Sequence, residues 1–195
     1  LSNRLSGSIE YYKKNSFDLF GMELVDYTTG VGSAVMKNAA DMVGHGLDLD
    51  LSVKLMDDKF KWLTSVLFSH NQEKVVKNYL LNLTANSKIS TVPILTAVES
   101  HAAYAMYSYQ WKGSDSKTGN PLGTLNGQIS EVYNQITGPN VLVRDVVYHG
   151  SSLPVFFGTI GNTFTYGNFS LNFRMGFKLG YYFRKPSLSY TNLYN

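Results

Sequence analysis

The chain has 195 residues, a formal charge of +3 and no cysteine, and its 16% of charged residues nearly matches its 14% of aromatic ones. Soluble domains carry roughly 25% charge, whereas a disordered tail has high charge and few aromatics, so disorder is excluded. A membrane-spanning helix needs about 20 consecutive apolar residues, and the longest apolar stretches here, such as Ala102 to Met106, are far shorter.

The first element in chain order is a strand over roughly residues 4–13, setting Leu5, Gly7, Ile9 and Tyr11 against Arg4, Ser6, Ser8, Glu10 and Tyr12. A long connection over residues 16–43 follows. Leu47, Leu49, Leu51, Val53 and Leu55 then alternate with Asp48, Asp50, Ser52 and Lys54, and a tight turn at residues 56–59 leads into a strand over 60–69. In that strand Phe60, Trp62, Val66 and Phe68 keep phase, and Thr64 alone breaks the stripe. Residues 71–154 read as a second long connection, with one or two further strands expected within 104–149. A last hairpin joins residues 155–166 to residues 169–183 through Gly167-Asn168. Every odd position from Phe169 to Phe183 is apolar or aromatic. At about 3.3 Å per residue this segment measures roughly 50 Å.

Strands of globular proteins usually have about 3–10 residues, and structureless loops beyond about 15 residues are uncommon in compact domains. Short turns alternating with long connections suit an outer-membrane barrel, with residues 16–43 and 71–154 as extracellular loop regions. Aromatic clusters at both ends of the last hairpin, Tyr166 and Phe169 at one and Tyr181, Tyr182 and Phe183 at the other, match the girdles of two membrane interfaces. The expected fold is all-β, a segment of a large antiparallel transmembrane β-barrel. The alternative is a soluble carbohydrate-binding β-sandwich, in which the apolar face packs on a second sheet. Five good strands do not close a barrel, so a larger assembly is expected.

Several motifs in order resemble one family. The run Pro154-Val155-Phe156-Phe157-Gly158-Thr159-Ile160-Gly161-Asn162-Thr163-Phe164-Thr165-Tyr166-Gly167-Asn168-Phe169 is similar to a late barrel hairpin of the SusC/RagA family of TonB-dependent outer-membrane transporters. Lys178-Leu179-Gly180-Tyr181-Tyr182-Phe183-Arg184, Trp111-Lys112-Gly113, Gly119-Asn120-Pro121-Leu122-Gly123 and Gly7-Ser8-Ile9-Glu10-Tyr11-Tyr12 resemble it as well. The resemblance implies that residues 1–195 are part of one TonB-dependent receptor barrel domain, with the plug and N-terminal regions lying elsewhere. It implies a 22-stranded plugged barrel for the complete protein. It further implies a multi-pass protein in the outer membrane of a Gram-negative bacterium. Such a protein imports nutrient oligosaccharides or oligopeptides with a SusD-like surface lipoprotein, energised by the TonB complex through the plug.

No catalytic residues, cofactor or metal are expected, and no enzyme activity. His45, His70, His101 and His149 lack ligand spacing, and residues 115–120 read as a turn rather than a calcium loop. Asp48 and Asp50 share one face but have no nucleophile beside them, so they are expected to line the lumen with Arg174, Lys178 and Arg184. Leu49, Leu51, Phe173, Phe177 and Leu179 are expected to face the lipid bilayer. Tyr104, Tyr107, Tyr109 and Trp111 are the candidate substrate-binding residues, because aromatic faces stack on sugars and peptide side chains. Lys and Arg are scattered, so nucleic acid is not an expected partner.

Overall fold

A computed structural model describes residues 3–24, 34–79, 85, 88–90, 92–139 and 141–185. In chain order the strands are β1 (Leu5–Leu24), β2 (Ala34–Asp57), β3 (Phe60–Asn78), β4 (Ala105–Tyr109), β5 (Gly123–Leu125), β6 (Gln128–Ser130), β7 (Val146–Ser151), β8 (Phe156–Tyr166) and β9 (Phe169–Leu179); one helical turn, α1 (Tyr133–Ile136), lies between β6 and β7. β1, β2, β3, β8 and β9 form one antiparallel sheet in that spatial order, and β4–β7 and β5–β6 are separate two-stranded pairs.

Register decides what the large sheet presents. Directly opposed residues of an antiparallel sheet share a face, so Ile9, Leu49, Phe68, Gly158 and Phe177 form one row. Gly7, Leu51, Val66, Ile160 and Met175 form the next row on that face. The opposite face carries Glu10, Asp48, Ser69, Phe157 and Lys178, then Ser6, Ser52, Ser65, Gly161 and Arg174. One sheet therefore has an apolar side and a mainly polar side across all five strands. The apolar side is open: Ile9 is 69% exposed and Met175 57%. A sandwich would have buried these residues.

Aromatic residues border the apolar side. Phe60 and Phe164 stack with centroids 6.0 Å apart at the turn end, with Trp62 5.5 Å from Phe164. At the other end His70 stacks on Phe156 at 4.7 Å and Phe68 on Phe177 at 6.5 Å. Between Tyr166 and Phe156 the strand runs about 33 Å, which a tilt near 45° reduces to about 23 Å. Outer-membrane barrels have an apolar band of about 25 Å. Thr64, which interrupts the stripe in the sequence, lies opposite Asn162. Its hydroxyl and the Trp62 indole N–H both donate to Asn162 Oδ1 at 2.9 Å, so these two donors and this acceptor satisfy one another.

Three boundaries differ from the sequence reading. Residues 16–43 are not a loop throughout, since β1 continues to Leu24 and β2 begins at Ala34; residues 25–33 lie outside the described residues. Bulges beyond Ser16, with Asp18 at φ 53°, break the alternation that marks a strand in sequence. Asp41 repairs the broken ladder: its carboxylate accepts the Asp18 N–H at 3.0 Å and the Tyr79 O–H at 2.7 Å. These bonds hold the Asp41 carboxyl below the usual carboxylate range. β3 likewise runs past residue 71 to Asn78, and residues 105–151 contain four short strands. The last strand ends at Leu179 rather than continuing to Phe183, because Gly180 adopts φ 72°.

The chain forms two compact units. One contains the large sheet, in residues 1–80, 97–103 and 154–181; the other comprises residues 81–96, 104–153 and 182–195. Ala39, Ala40, Val75 and Ala103 are fully buried in the first, and Thr96, Tyr107, Ile136 and Val141 form the interior of the second. In the second unit Asn126 and Gly127, both at positive φ (51° and 79°), make the two-residue turn joining β5 to β6.

A Cβ at Gly127 meets no atom within 4 Å, so any cost of Gly127→Ala is backbone strain alone. The substitution is expected to destabilise by about 1–2 kcal/mol, whereas Gly176→Ala, where the nearest atom lies at 3.8 Å and φ is not positive, should be neutral. Urea unfolding of the two variants checks this, and equal losses would contradict it.

Candidate functional site

Two surfaces collect the polar and aromatic residues that the sequence singles out. The first is the polar side of the large sheet. Asp48 and Asp50 stand on β2 and Arg174 and Lys178 on β9, all on one face, with β3 and β8 between them. Strands lie about 4.8 Å apart, so the acidic and basic columns are about 14 Å apart. Glu10 directly opposes Asp48 and adds to the acidic column. Its signal was in the sequence, since it alternates with Ile9 and Tyr11, but only register places it beside Asp48. Among the described residues no ion pair engages Glu10, Asp48, Asp50, Arg174 or Lys178; Lys54 and Asp57 pair at 4.0 Å near the turn. Leu49, Leu51, Phe173, Phe177 and Leu179 point to the other face.

Arg184 is not part of this wall. It follows the break at Gly180, and its guanidinium donates to the carbonyl oxygens of Ser90 (3.0 Å) and Tyr107. It is a brace within the second unit, and the basic column reduces to Arg174 and Lys178. The alternation that continued to Phe183 gave no sign of this exit.

The second surface is an aromatic cleft of about 180 Å³ in the second unit, lined by Tyr109, Trp111, Pro121, Leu122, Tyr133 and Ile136. β4 ends at Tyr109, and the backbone then bonds across to Leu122 through the Lys112 N–H. Tyr133 reaches in from α1 and donates its hydroxyl to the Pro121 carbonyl at 2.8 Å. The four aromatic candidates therefore separate. Tyr109 and Trp111 line the cleft, with Trp111 73% exposed. Tyr107 is 1% exposed and belongs to the core, where its ring meets Tyr148 at 5.6 Å. Burial and Tyr148 push its phenol pKa upward, so it stays protonated. Tyr104 is half-buried and its carbonyl accepts the Ser152 N–H and O–H at 2.8 Å. Tyr133 was missed because a single helical turn leaves no periodicity to read.

The cleft is apolar, with hydroxyls and amides at its margin and no charged side chain among its lining residues. It can stack on a ligand and exclude water, and it contains no acid–base pair. Beside it, residues 115–120 form a tight turn. Asp115 Oδ1 accepts the backbone N–H groups of Lys117 and Thr118 at 2.8 Å and the Thr118 hydroxyl at 3.1 Å. No group of three metal-binding side chains occurs among the described residues.

No family model matches the chain. It is 27% identical over 182 residues to TonB-dependent receptor P3 of Formosa agariphila, covering 87% of this chain and 18% of that receptor. Among solved structures it resembles the RagAB peptide transporter, with a TM-score of 0.67 at 22% identity over 92% of this chain and 19% of that one. The RagAB peptide importer in its open-open state gives a TM-score of 0.64 at 20% identity, again over 92% of this chain and 19% of that one. The chain thus spans about a fifth of the length of the proteins it matches, and the shared fold is that of a barrel wall.

The turn at Asp115 should respond to pH. Its three hydrogen bonds hold the carboxyl below the ordinary aspartate range, Thr118 N–H first. A lowered folded pKa gives stability that is present above the unfolded value and is lost as pH falls through the folded one. Protection of the Thr118 amide, its exchange rate relative to the intrinsic rate at the same pH, is therefore expected at neutral pH and should be lost in acid. An Asp115→Asn variant should lack that acid transition.

Proposed function

We propose that this chain, a segment of a SusC/RagA-type TonB-dependent receptor barrel, forms part of the wall and outward loops of an outer-membrane importer of nutrient oligomers. The observation that carries the reading is the five-stranded sheet with one apolar and one polar side and aromatic borders about 23 Å apart along the barrel axis. In this reading Leu49, Leu51, Phe173, Phe177 and Leu179 face lipid. Glu10, Asp48, Asp50, Arg174 and Lys178 face the lumen, and the tight turns at residues 58–59 and 167–168 point to the periplasm.

The protein sits in the outer membrane of a Gram-negative cell as part of a plugged barrel. It carries oligosaccharides or oligopeptides delivered by a SusD-like surface lipoprotein, and TonB acting on the plug supplies the energy. The chain's own contribution is a surface: an aromatic cleft at Tyr109, Trp111 and Tyr133 for first contact, and a charged wall along the path. Transport by such a wall requires binding and release and no bond chemistry, which fits a site without an acid–base pair.

The face assignment predicts unequal costs. Lys introduced at Phe173 should destabilise the complete barrel by about 2–4 kcal/mol in lipid. Lys at Asn172, on the opposite face, should be mild. Unfolding in vesicles measures both, and equal effects would overturn the assignment. Uptake by cells carrying the complete receptor should require TonB and fall sharply when the surface lipoprotein is removed. Uptake indifferent to both would defeat the import reading.

A further inference from the structure

The polar side of the sheet contains a hollow of about 760 Å³ lined by Leu67, Ser69, Phe157, Thr159, Lys178 and Tyr181. Two of these residues contradict their surroundings. Leu67 and Phe157 lie on the polar face, diagonal to one another across β3 and β8, and are 46% and 39% exposed. Diagonal neighbours on one face lie about 7–8 Å apart and make one continuous apolar floor. Gly176 leaves that floor open, because a Cβ there would meet no atom closer than 3.8 Å.

The rims of the hollow carry opposite charges. Lys178 lies directly opposite Phe157 at one side. At the other, Asp48 opposes Ser69 and Asp50 opposes Leu67, with Glu10 next to Asp48. A small apolar floor between rims of opposite charge suits an occupant with an apolar middle and charged ends, and the charge order selects it. A neutral oligosaccharide hydrogen-bonds to an ammonium or a carboxylate but carries no charges to match their opposite signs. An oligopeptide gains from all three parts.

We propose that this hollow is a subsite for a short zwitterionic peptide. The peptide's terminal carboxylate lies on Lys178, an apolar side chain rests on Leu67 and Phe157, and its terminal amine lies toward Asp48 and Asp50. The columns are about 14 Å apart, and an extended chain advances about 3.3–3.6 Å per residue, so the best fit is a peptide of about four residues. This deepens the import reading and rests on it, since it takes the polar side as the lumen wall.

The test uses the complete receptor with its surface lipoprotein, and an alanine–leucine tetrapeptide with free termini as probe. Binding is measured by calorimetry and import in cells. C-terminal amidation is expected to weaken binding about tenfold, the loss of one charge-assisted contact. Lys178→Gln should weaken the free peptide by a similar factor and leave the amidated one unchanged, while Lys178→Arg keeps the preference. Leu67→Ser should weaken both forms. Equal binding of free and amidated peptide by the unaltered receptor overturns the proposal, as does preference for a neutral oligosaccharide or a Lys178→Gln receptor that still distinguishes the two peptides. Those results leave import itself standing, whereas a receptor that imports no oligomer of either class overturns the import reading.

Discussion

The structure depends on register. Side chains of a strand alternate with period two, so a slip of one residue between neighbours would exchange the faces of a whole strand. Here four successive pairings keep Ile9, Leu49, Phe68 and Phe177 on one side and Glu10, Asp48 and Lys178 on the other. Neither side is a core in the ordinary sense, since each faces outward from a sheet one layer thick. The sheet is held by its backbone ladder, and its two surfaces are determined by its two environments.

That arrangement explains the composition. A soluble domain hides its apolar residues and covers itself with charge; this chain exposes Leu171, Met175 and Leu179 at 57–65% and has few charged residues to spare. Some of that charge stands in two columns of the polar wall and in turns such as the one at Asp115. The second unit follows soluble rules instead, with Tyr107 and Thr96 buried and a guanidinium bonded to carbonyl oxygens.

How much of this was legible in the sequence depended on periodicity. The alternations at residues 47–55, 60–69 and 169–179 named their strands and sorted their faces, because one apolar and one polar environment write a two-residue period. The outer halves of β1 and β2 were illegible because bulges near Asp18 shift the phase, and the repair by Asp41 involves residues 23 positions apart. Arg184 was misplaced because alternation outlasts the strand: the break is a backbone event at Gly180, and the residues beyond it keep the pattern by coincidence. Among the aromatic candidates, spacing could not separate buried Tyr107 from exposed Trp111, since that difference arises from β7 and Tyr148 packing on one side of β4. The hollow on the polar side was invisible for a similar reason. Leu67 and Phe157 are 90 positions apart and become neighbours only through the β3–β8 pairing.

The Trp62–Thr64–Asn162 group adds a constraint on assembly. An amide on the apolar side is tolerated because an indole and a hydroxyl from the neighbouring strand meet its oxygen at 2.9 Å. A slip of two residues between β3 and β8 preserves the faces, so hydrophobicity alone does not forbid it. The slip that sets Asn162 opposite Val66 would, however, carry it two residues further from Trp62 and leave its amide with one donor fewer among apolar neighbours, at a cost of about 1–3 kcal/mol. The group thus adds to the β3–β8 pairing a discrimination between registers that facial sorting alone permits.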